Sequence, residues 1–495
     1  MMPLFDLTTI RSIETAAAEA GVNLMARAGL AIAEWIGARY PASASVLAVT
    51  GRGNNGGDAL VAGALLLARG YRVDALLPMG EPGSMEAIAA LSAFRAAGGQ
   101  VLSGWDQAQG YALALDGLFG IGLSRPLQDS ARRTVERLND LDCPILALDC
   151  PSGLDAWSGM PKPVAVRADA TLTFICPKPG LYTGDGRDYS GDITLAALGL
   201  PEDWCPPWPA NCGALNLPDS LALDALQRAG NSHKGDYGSV AVLGGASGMG
   251  GAVLLAARAA LLSGAGKVFA GFAGECPPLD PLYPELMLRD AASLLEQPDL
   301  SVLAIGPGLG TATSAALLLE HALEQPLPCV LDADALNLLA HHPALAERVR
   351  QHPAPCVLTP HPGEAARLLG SSVADSQADR IGSARALAER FQAVVVLKGA
   401  GSLIARPGGH YRLNPTGHAG MAAAGQGDTL TGLIAGLMAQ GCPAFDASAM
   451  ACWLAGRGAE RLARRGVGPV GLTASETAQA ARAELNRWLH PAANG

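Results

Sequence analysis

Charge is scarce in this chain. Of its 495 residues only 16% are Asp, Glu, Lys or Arg, against about 25% in an ordinary soluble protein. Hydrophobic residues make up 49%, which excludes intrinsic disorder for most of the length. Positive charge is the scarcer sign, with 35 Lys and Arg against 45 Asp and Glu, a net charge of -10. Lysine occurs only at Lys162, Lys178, Lys234, Lys267 and Lys398. An acidic chain is no nucleic-acid coat, and the basic knot from Arg461 to Arg465 is too short to reverse that; it reads as the solvated end of a helix. Long apolar runs are missing too. None reaches the ~18 residues of a membrane span, and the run from Ala252 to Leu262 is cut by Arg258. Cysteine is present, but no C-x-x-C pair occurs, and several thiols adjoin apolar runs such as Cys329-Val330-Leu331. The expectation is buried thiols in a reducing compartment, not a zinc site or a disulfide framework. Residues 1–11 lack a basic start followed by an apolar core, so a cytoplasmic location is expected.

At roughly 150 residues per domain the length suits two to four domains. The clearest interruption is a proline cluster, Pro201, Cys205-Pro206-Pro207-Trp208-Pro209 and Pro218, which reads as a linker. The boundary is expected near residue 213, dividing the chain into 1–212 and 213–495. The first part opens with helical periodicity over 10–20 and 24–36. Short apolar runs follow at 45–49, 73–77, 112–115, 145–148 and 171–175, separated by helical stretches such as 58–69 and 85–97. The second part repeats the rhythm, with strands at 239–243, 302–305, 329–332, 356–358 and 394–398 and helices including 252–263 and 429–438. Apolar strands alternating with helices predict two three-layer α/β domains with parallel sheets. Ligands in such folds bind beyond the carboxyl ends of the strands, where Gly, Asp, His and Asn cluster here.

Three such clusters fall in the first part. Gly51-Arg52-Gly53-Asn54-Asn55-Gly56-Gly57-Asp58 follows a strand and precedes a helix. Glycines there let backbone N–H groups approach an anion. The run is neither a G-x-G-x-x-G fingerprint nor a Walker A loop. A tight strand–helix junction would use the same glycines, but it has no need of two adjacent asparagine amides. The second cluster runs from Asp116 through Gly120-Ile121-Gly122-Leu123-Ser124-Arg125-Pro126, and the third is Asp149-Cys150-Pro151-Ser152-Gly153. Oxygen ligands from Asn55, Asp116 and Ser152 suit an alkali or alkaline-earth cation. Asp149 is a candidate general acid/base, with a turn or helix cap as its plainer use.

Taken together, G-x-G-N-N-G-G-D, D-G-L-F-G-x-G, D-x-P-S-G and the upstream Leu24-Met25-x-x-Ala28-Gly29 resemble the epimerase domain of the NAD(P)H-hydrate repair enzymes over nearly all of residues 1–210. The resemblance implies a Rossmann-like domain that interconverts the R and S epimers of hydrated NADH and NADPH. It implies K+ held by Asn55, Asp116 and Ser152. Substrate contacts would come from Asn54, Asn55, Gly56, Gly57 and Asp58, from Gly120 to Pro126, and from Asp149. Ala59 stands where a glycine commonly follows the Asp.

In the second part the strongest motif is Gly425-Gln426-Gly427-Asp428, followed by helical Thr429-Leu430-Thr431-Gly432. N–H groups at a helix start form an anion hole, and a neighbouring carboxylate can take a hydroxyl proton, a combination suited to phosphoryl transfer. Lys398-Gly399-Ala400-Gly401-Ser402 ends a strand and offers a phosphate ligand. His361 lies between two prolines in Thr359-Pro360-His361-Pro362-Gly363-Glu364 and is either a ligand or a hydrogen-bonded turn residue. The Asp332/Asp334 pair could hold Mg2+ or cap the next helix. With His233-Lys234-Gly235, Gly250-Gly251-Ala252 and Gly306-Pro307-Gly308-Leu309-Gly310, these segments resemble the ribokinase-like superfamily, and more closely its NAD(P)H-hydrate dehydratase branch. That implies dehydration of the S epimer driven by ADP or ATP with Mg2+. Ala252, Gly308, Gly310, His361 and Asp428 would face the hydrate, and Lys398 to Ser402 with Gly427 the nucleotide. Gln426 stands where the family usually has a small hydroxyl residue, a change that could alter phosphate contacts, and Ser402 replaces the more usual threonine and keeps its hydroxyl.

The expected partners are therefore small molecules, the hydrates NADHX and NADPHX with ADP or ATP, without nucleic acid or membrane. A homo-oligomer is expected through apolar helices such as 24–36. A small-molecule kinase is the nearest rival reading, and a nucleotide-binding module without turnover the next.

Overall fold

In the computed structural model, residues 2–123, 125–201, 213–221 and 223–490 are described. Ser124 and most of the proline cluster, including Cys205 to Pro209, lie outside them. The chain separates into two compact units, residues 2–212 and 213–495.

The first unit is built on a parallel sheet whose strands lie in the order Gln100–Val101, Arg72–Leu76, Ser45–Thr50, Leu113–Gly117, Ile145–Leu148, Ala170–Phe174 and Asp192–Ala196. Alternation along a strand decides which layer each residue joins. Val46 and Ala48 pack with helices Leu24–Gly37, Asn54–Ala68 and Met85–Ala96, whereas Leu47 and Val49 pack with helix Asp129–Asn139. Both faces are covered, as near-continuous apolar strands require. The helix expected over 58–69 begins at Asn54, with Gly53 as its N-cap. Gly56 and Gly57 therefore lie inside its first turn, where a Cβ would collide with the Gly51 carbonyl or the Met25 side chain. Ala59 is fully buried and faces Gly117, so its methyl is accommodated by a glycine on the neighbouring strand.

Within the second unit the strand order is Gly213–Leu215, Tyr411–Leu413, Leu403–Ala405, Val394–Leu397, Cys356–Leu358, Cys329–Leu331, Val302–Ile305, Ser239–Gly244, Lys267–Phe272 and Met287–Asp290. The sequence pattern marks only five of these strands. The pairings Val394–Leu397 with Leu403–Ala405, and of the latter with Tyr411–Leu413, are antiparallel. Their connections are too short for the crossover a parallel pair needs, so the chain can only reverse. The remaining pairings are parallel.

Helix Gln426–Ala439 packs against helix Gly250–Leu262. Gly432 and Gly436 make that approach possible, because a Cβ at either would run into backbone of Ala256 or Ala260. A Gly432→Ala variant should lose about 1–3 kcal/mol of stability through overpacking, read as a lowered midpoint in urea unfolding.

Two expectations are refined. The basic run does close helix Ala444–Arg464, with Arg464 and Arg465 exposed, but Arg461 within it pairs with Glu484, which is 3% exposed, on helix Ala474–Leu489. Among the cysteines, Cys276 is exposed and Cys143 half-buried, while Cys150, Cys176, Cys329, Cys356, Cys442 and Cys452 are buried free thiols. Arg258 lies in an apolar helix because Asp280 takes its guanidinium in two hydrogen bonds of 2.7 and 2.9 Å. Among the described residues no helix is long and apolar enough to cross a membrane.

Candidate active sites

At the carboxyl ends of the first sheet's strands lies a cleft of ≈ 930 Å³. Its lining includes Asn54, Asn55, Asp58, Gly120, Ile121, Gly122, Leu123, Arg125 and Asp149. Gly56 and Gly57 sit beneath the helix start, and Pro126 is exposed outside the lining. Asp149 follows strand Ile145–Leu148 with φ +66°, a left-handed conformation that Asp adopts more readily than most residues. Its Oδ1 receives the Lys178 ammonium at 2.5 Å, and its Oδ2 accepts the Ile121 N–H at 3.4 Å. Lys178, 2% exposed, also donates to Thr173 Oγ1 and the Phe174 carbonyl. Asp58 and Glu14 share the cleft. Burial, reinforced by the negative charge of Asp149, pushes both carboxyls upward, Asp58 well above its ordinary value.

Behind the cleft Asp116 is fully buried. Ser152 donates to it twice, from N at 2.7 Å and from Oγ at 2.6 Å, and the Leu118 N–H approaches at 3.3 Å. Burial pushes the Asp116 carboxyl up to about 6 despite these donors. No Lys or Arg among the described residues forms an ion pair with it. The nearby Asn55 amide has its Nδ2 buried without a hydrogen-bond partner.

The second centre is organised by the N-terminus of helix Gln426–Ala439. Gly425, its N-cap, has φ +84° and lies where a Cβ would strike Leu255. The N–H groups of the first turn are thereby left for an anion, favoured by the helix dipole. Asp428 lies in that turn, and burial, then the charge of Asp332, raise its carboxyl to about 6. Beside it Lys398 Nζ binds Asp332 Oδ1 at 2.7 Å, while Thr431 Oγ1 donates to Asp332 Oδ2 at 2.7 Å. Asp332 is thus the counter-ion of Lys398 and caps no helix; burial would raise its carboxyl, but the ammonium outweighs that and holds it low. Asp334 opens helix Asp334–His341 and accepts the Gly310 N–H at 2.8 Å. Gly308 (φ +58°) fits against Met249 and Ala252 at the start of helix Gly250–Leu262.

His361 is the N-cap of helix Pro362–Leu369. Its Nδ1 accepts the N–H groups of Gly363 and Glu364, and Glu364 Oε2 accepts the His361 N–H at 2.8 Å. Burial, then the Lys398 charge, lowers its pKa, and with Nδ1 accepting two N–H groups the neutral ring carries its proton on Nε2, 3.4 Å from Glu364 Oε1. Glu364 is 5% exposed and raised by burial to about 7. The Gln426 side chain does not reach into the anion hole, since its Nε2 donates to Thr477 Oγ1 at 3.1 Å. The residue is thus tied to helix Ala474–Leu489 by its side chain. Beneath Lys398 to Ser402 lies Arg380, 3% exposed, donating to the carbonyls of Lys398 and Gly401.

Sequence reasoning missed Lys178, Glu14, Glu364 and Arg380. Lys178 carried a signal, a rare lysine between two prolines just past a strand. Glu14 and Arg380 carried none, because each reaches its site from the middle or start of a helix distant in sequence.

Two α/β units, each with a poised carboxylate at the carboxyl end of its sheet, define a two-centre enzyme. The family model for the YjeF-related protein N-terminus matches residues 21–180, and that for NAD(P)H-hydrate dehydratase matches residues 240–480. The bifunctional NAD(P)H-hydrate repair enzyme of Coxiella burnetii is 38% identical over 96% of this chain and 98% of its own. That of Escherichia coli is 37% identical over 90% of this chain and 85% of its own. A crystal structure of the ADP/ATP-dependent NAD(P)H-hydrate dehydratase from Bacillus subtilis aligns with TM-score 0.47 and 32% identity, covering 53% of this chain and 94% of that one. The chain belongs to the bifunctional NAD(P)H-hydrate repair enzymes.

Proposed function

We propose that residues 1–212 interconvert the R and S epimers of hydrated NADH and NADPH, and that residues 213–495 dehydrate the S epimer at the expense of ADP or ATP. The observation that carries this reading is the presence in one chain of two different proton-handling sites: Asp149 paired with Lys178 over a large cleft, and Asp428 beside a helix N-terminus.

In the first site the substrate carbon bears both a hydroxyl and the ring nitrogen. Asp149 takes the hydroxyl proton as the carbon–nitrogen bond opens to an aldehyde, and returns it after closure on the other face. Lys178 holds the carboxylate in place and stabilises its charge. Asn54, Asn55, Asp58, Gly120 to Leu123 and Arg125 surround the substrate. Asn55, Asp116 and Ser152 would hold K+. The fit rests on Asp116, a buried carboxylate with no Lys or Arg ion-pair partner among the described residues; such a group calls for a hard cation. When bound, the ion would neutralise Asp116 and fix the loop that carries Gly120.

In the second site a hydroxyl is a poor leaving group until it is phosphorylated. Asp428 takes its proton while the N–H groups of the helix start, Gly427 among them, stabilise the transferring phosphoryl. Loss of phosphate together with a ring proton then restores the reduced nicotinamide. Asp332 and Asp334 add negative charge around Asp428, an excess that Mg2+ brought in with the nucleotide would offset. Lys398, already bound to Asp332, fixes the loop Gly399 to Ser402 against the nucleotide, while Ala252, Gly308, Gly310 and His361 face the hydrate. A cytoplasmic location and a homo-oligomer belong to the same reading.

The test is recovery of reduced-nicotinamide absorbance from mixed-epimer NADH hydrate, with K+, Mg2+ and ADP or ATP supplied separately. Full recovery is expected with one nucleotide. Recovery that stops when the S epimer is spent would remove the epimerase, and a stable phosphorylated product would favour a small-molecule kinase.

A pH dependence tests the cation. Asp116 has its folded pKa raised above the unfolded value, so its ionised form costs stability as pH rises through about 6. Added K+ should therefore raise the melting temperature more at pH 8 than at pH 5, and an Asp116→Asn variant should lose that difference.

A further inference from the structure

At the amino ends of the second sheet's strands, opposite the catalytic centre, lies a group the reaction does not use. Cys329 and Cys356 are register partners on adjacent parallel strands. Their sulfurs are 3.2 Å apart, with Cys329 Sγ–H donating to Cys356 Sγ. His352 completes the cluster, its ligand atom within 4.8 Å of both sulfurs. Its two ring nitrogens face carbonyl oxygens, Nδ1 that of Ala354 at 2.9 Å and Nε2 that of Gln325 at 3.0 Å. The Ala354 N–H also approaches Nδ1, but less closely, at 3.3 Å. Two carbonyls ask for two donors, which only an imidazolium supplies.

We infer that Cys329 and Cys356 form a redox-active dithiol, in which His352 holds Cys356 as the attacking thiolate and a peroxide drives reversible formation of a Cys329–Cys356 disulfide. The Cys356 thiolate attacks one peroxide oxygen, the O–O bond breaks, and hydroxide leaves, giving a sulfenic acid. The Cys329 sulfur then attacks the Cys356 sulfur. Its proton and the sulfenic hydroxyl leave as water, so two thiols are oxidised and one peroxide is reduced. The thiols differ as the two roles demand: the hydrogen bond from Cys329 leads in lowering Cys356 to about 6, with the His352 charge aiding, while Cys329 is held well above its ordinary value.

Geometry favours a disulfide over a metal. Paired residues on neighbouring strands fall within the Cα separation that a disulfide spans, whereas a metal would have to pull His352 from a carbonyl. Both sulfurs are buried, yet Cys356 follows exposed Pro355 by one residue, so a small oxidant has a short path. The bond would tie together the two strands that lead to Asp332 and to His361.

The test treats the folded full-length protein with hydrogen peroxide, blocks remaining thiols, and maps peptides without reduction. The expected product is a linked Cys329–Cys356 peptide pair, lighter by two hydrogens and reversed by dithiothreitol. A Cys329→Ser variant should instead accumulate a Cys356 sulfenic acid that dimedone captures. His352→Gln should slow oxidation about tenfold at neutral pH, with the rate recovering in alkali, where the thiol ionises unaided. Peroxide treatment that leaves both thiols free to alkylate would overturn the inference. So would stoichiometric zinc in the purified protein, or a wild-type oxidation rate in the His352→Gln variant.

Discussion

An Asp149→Asn variant should lose epimer exchange by about 10²–10⁴-fold, the usual contribution of a positioned acid/base, while dehydration of pure S epimer proceeds at the wild-type rate. Asparagine is the informative replacement. It tolerates the φ of +66° at this position, and its amide oxygen can still receive the Lys178 ammonium, so the backbone and the ion's seat both persist. What disappears is the capacity to carry a proton. Following R and S separately by chromatography distinguishes the outcomes, and unchanged exchange would remove Asp149 from the chemistry. Lys178→Met should reduce exchange as well, because the carboxylate then loses its buried counter-charge.

The second large effect is expected at Asp428. With its carboxyl raised to about 6, it is ionised and able to accept a proton above that pH. For dehydration kcat/KM should accordingly be level from neutral pH upward and fall about tenfold per unit below 6. Asp428→Asn should lower kcat by about 10²–10⁴-fold. Nucleotide affinity should change little, since the phosphate donors are backbone N–H groups that the substitution leaves in place. Epimerisation in that variant should continue, the mirror image of the Asp149 result. Loss of nucleotide binding together with turnover would instead mean that Asp428 acts through the metal or the loop.

Much of this arrangement is legible in the amino-acid order. The strand ends bearing Asp116, Asp149, Asp332 and His361 can be found because a short β-branched or leucine-rich run closed by Gly, Asp or Pro is too brief for a helix and too apolar for a loop. Helix Leu24–Gly37 is equally plain, its apolar residues recurring at three- and four-residue intervals. The edge of the second sheet is not. Leu403–Ala405 and Tyr411–Leu413 are three residues each, too short for any periodicity to register. Helix Asp129–Asn139 escapes for a different reason, being mostly polar, with only Ala131, Thr134, Val135 and Leu138 buried. At the sites, chemistry-bearing residues beside glycines can be found, whereas partners that arrive from another layer cannot. The scarcity of lysine singles out Lys398; nothing in the one-dimensional pattern joins it to Asp332, 66 positions away.

The cap at His361 has a consequence for what the second centre can admit. Because Nδ1 is spent on the helix, the ring offers its neighbourhood a donor and never an acceptor, as long as the proton stays on Nε2. That edge already lies 3.4 Å from Glu364 Oε1, so a ligand's carbonyl or phosphate oxygen shares the Nε2 proton with this carboxyl. The polarity is enforced by backbone, so a ligand cannot reverse it by inducing the other tautomer. Only detaching the ring from the helix start would do so. Discrimination between a ligand's two hydrogen-bonding faces is in this way built into secondary structure, ahead of any contact the ligand makes.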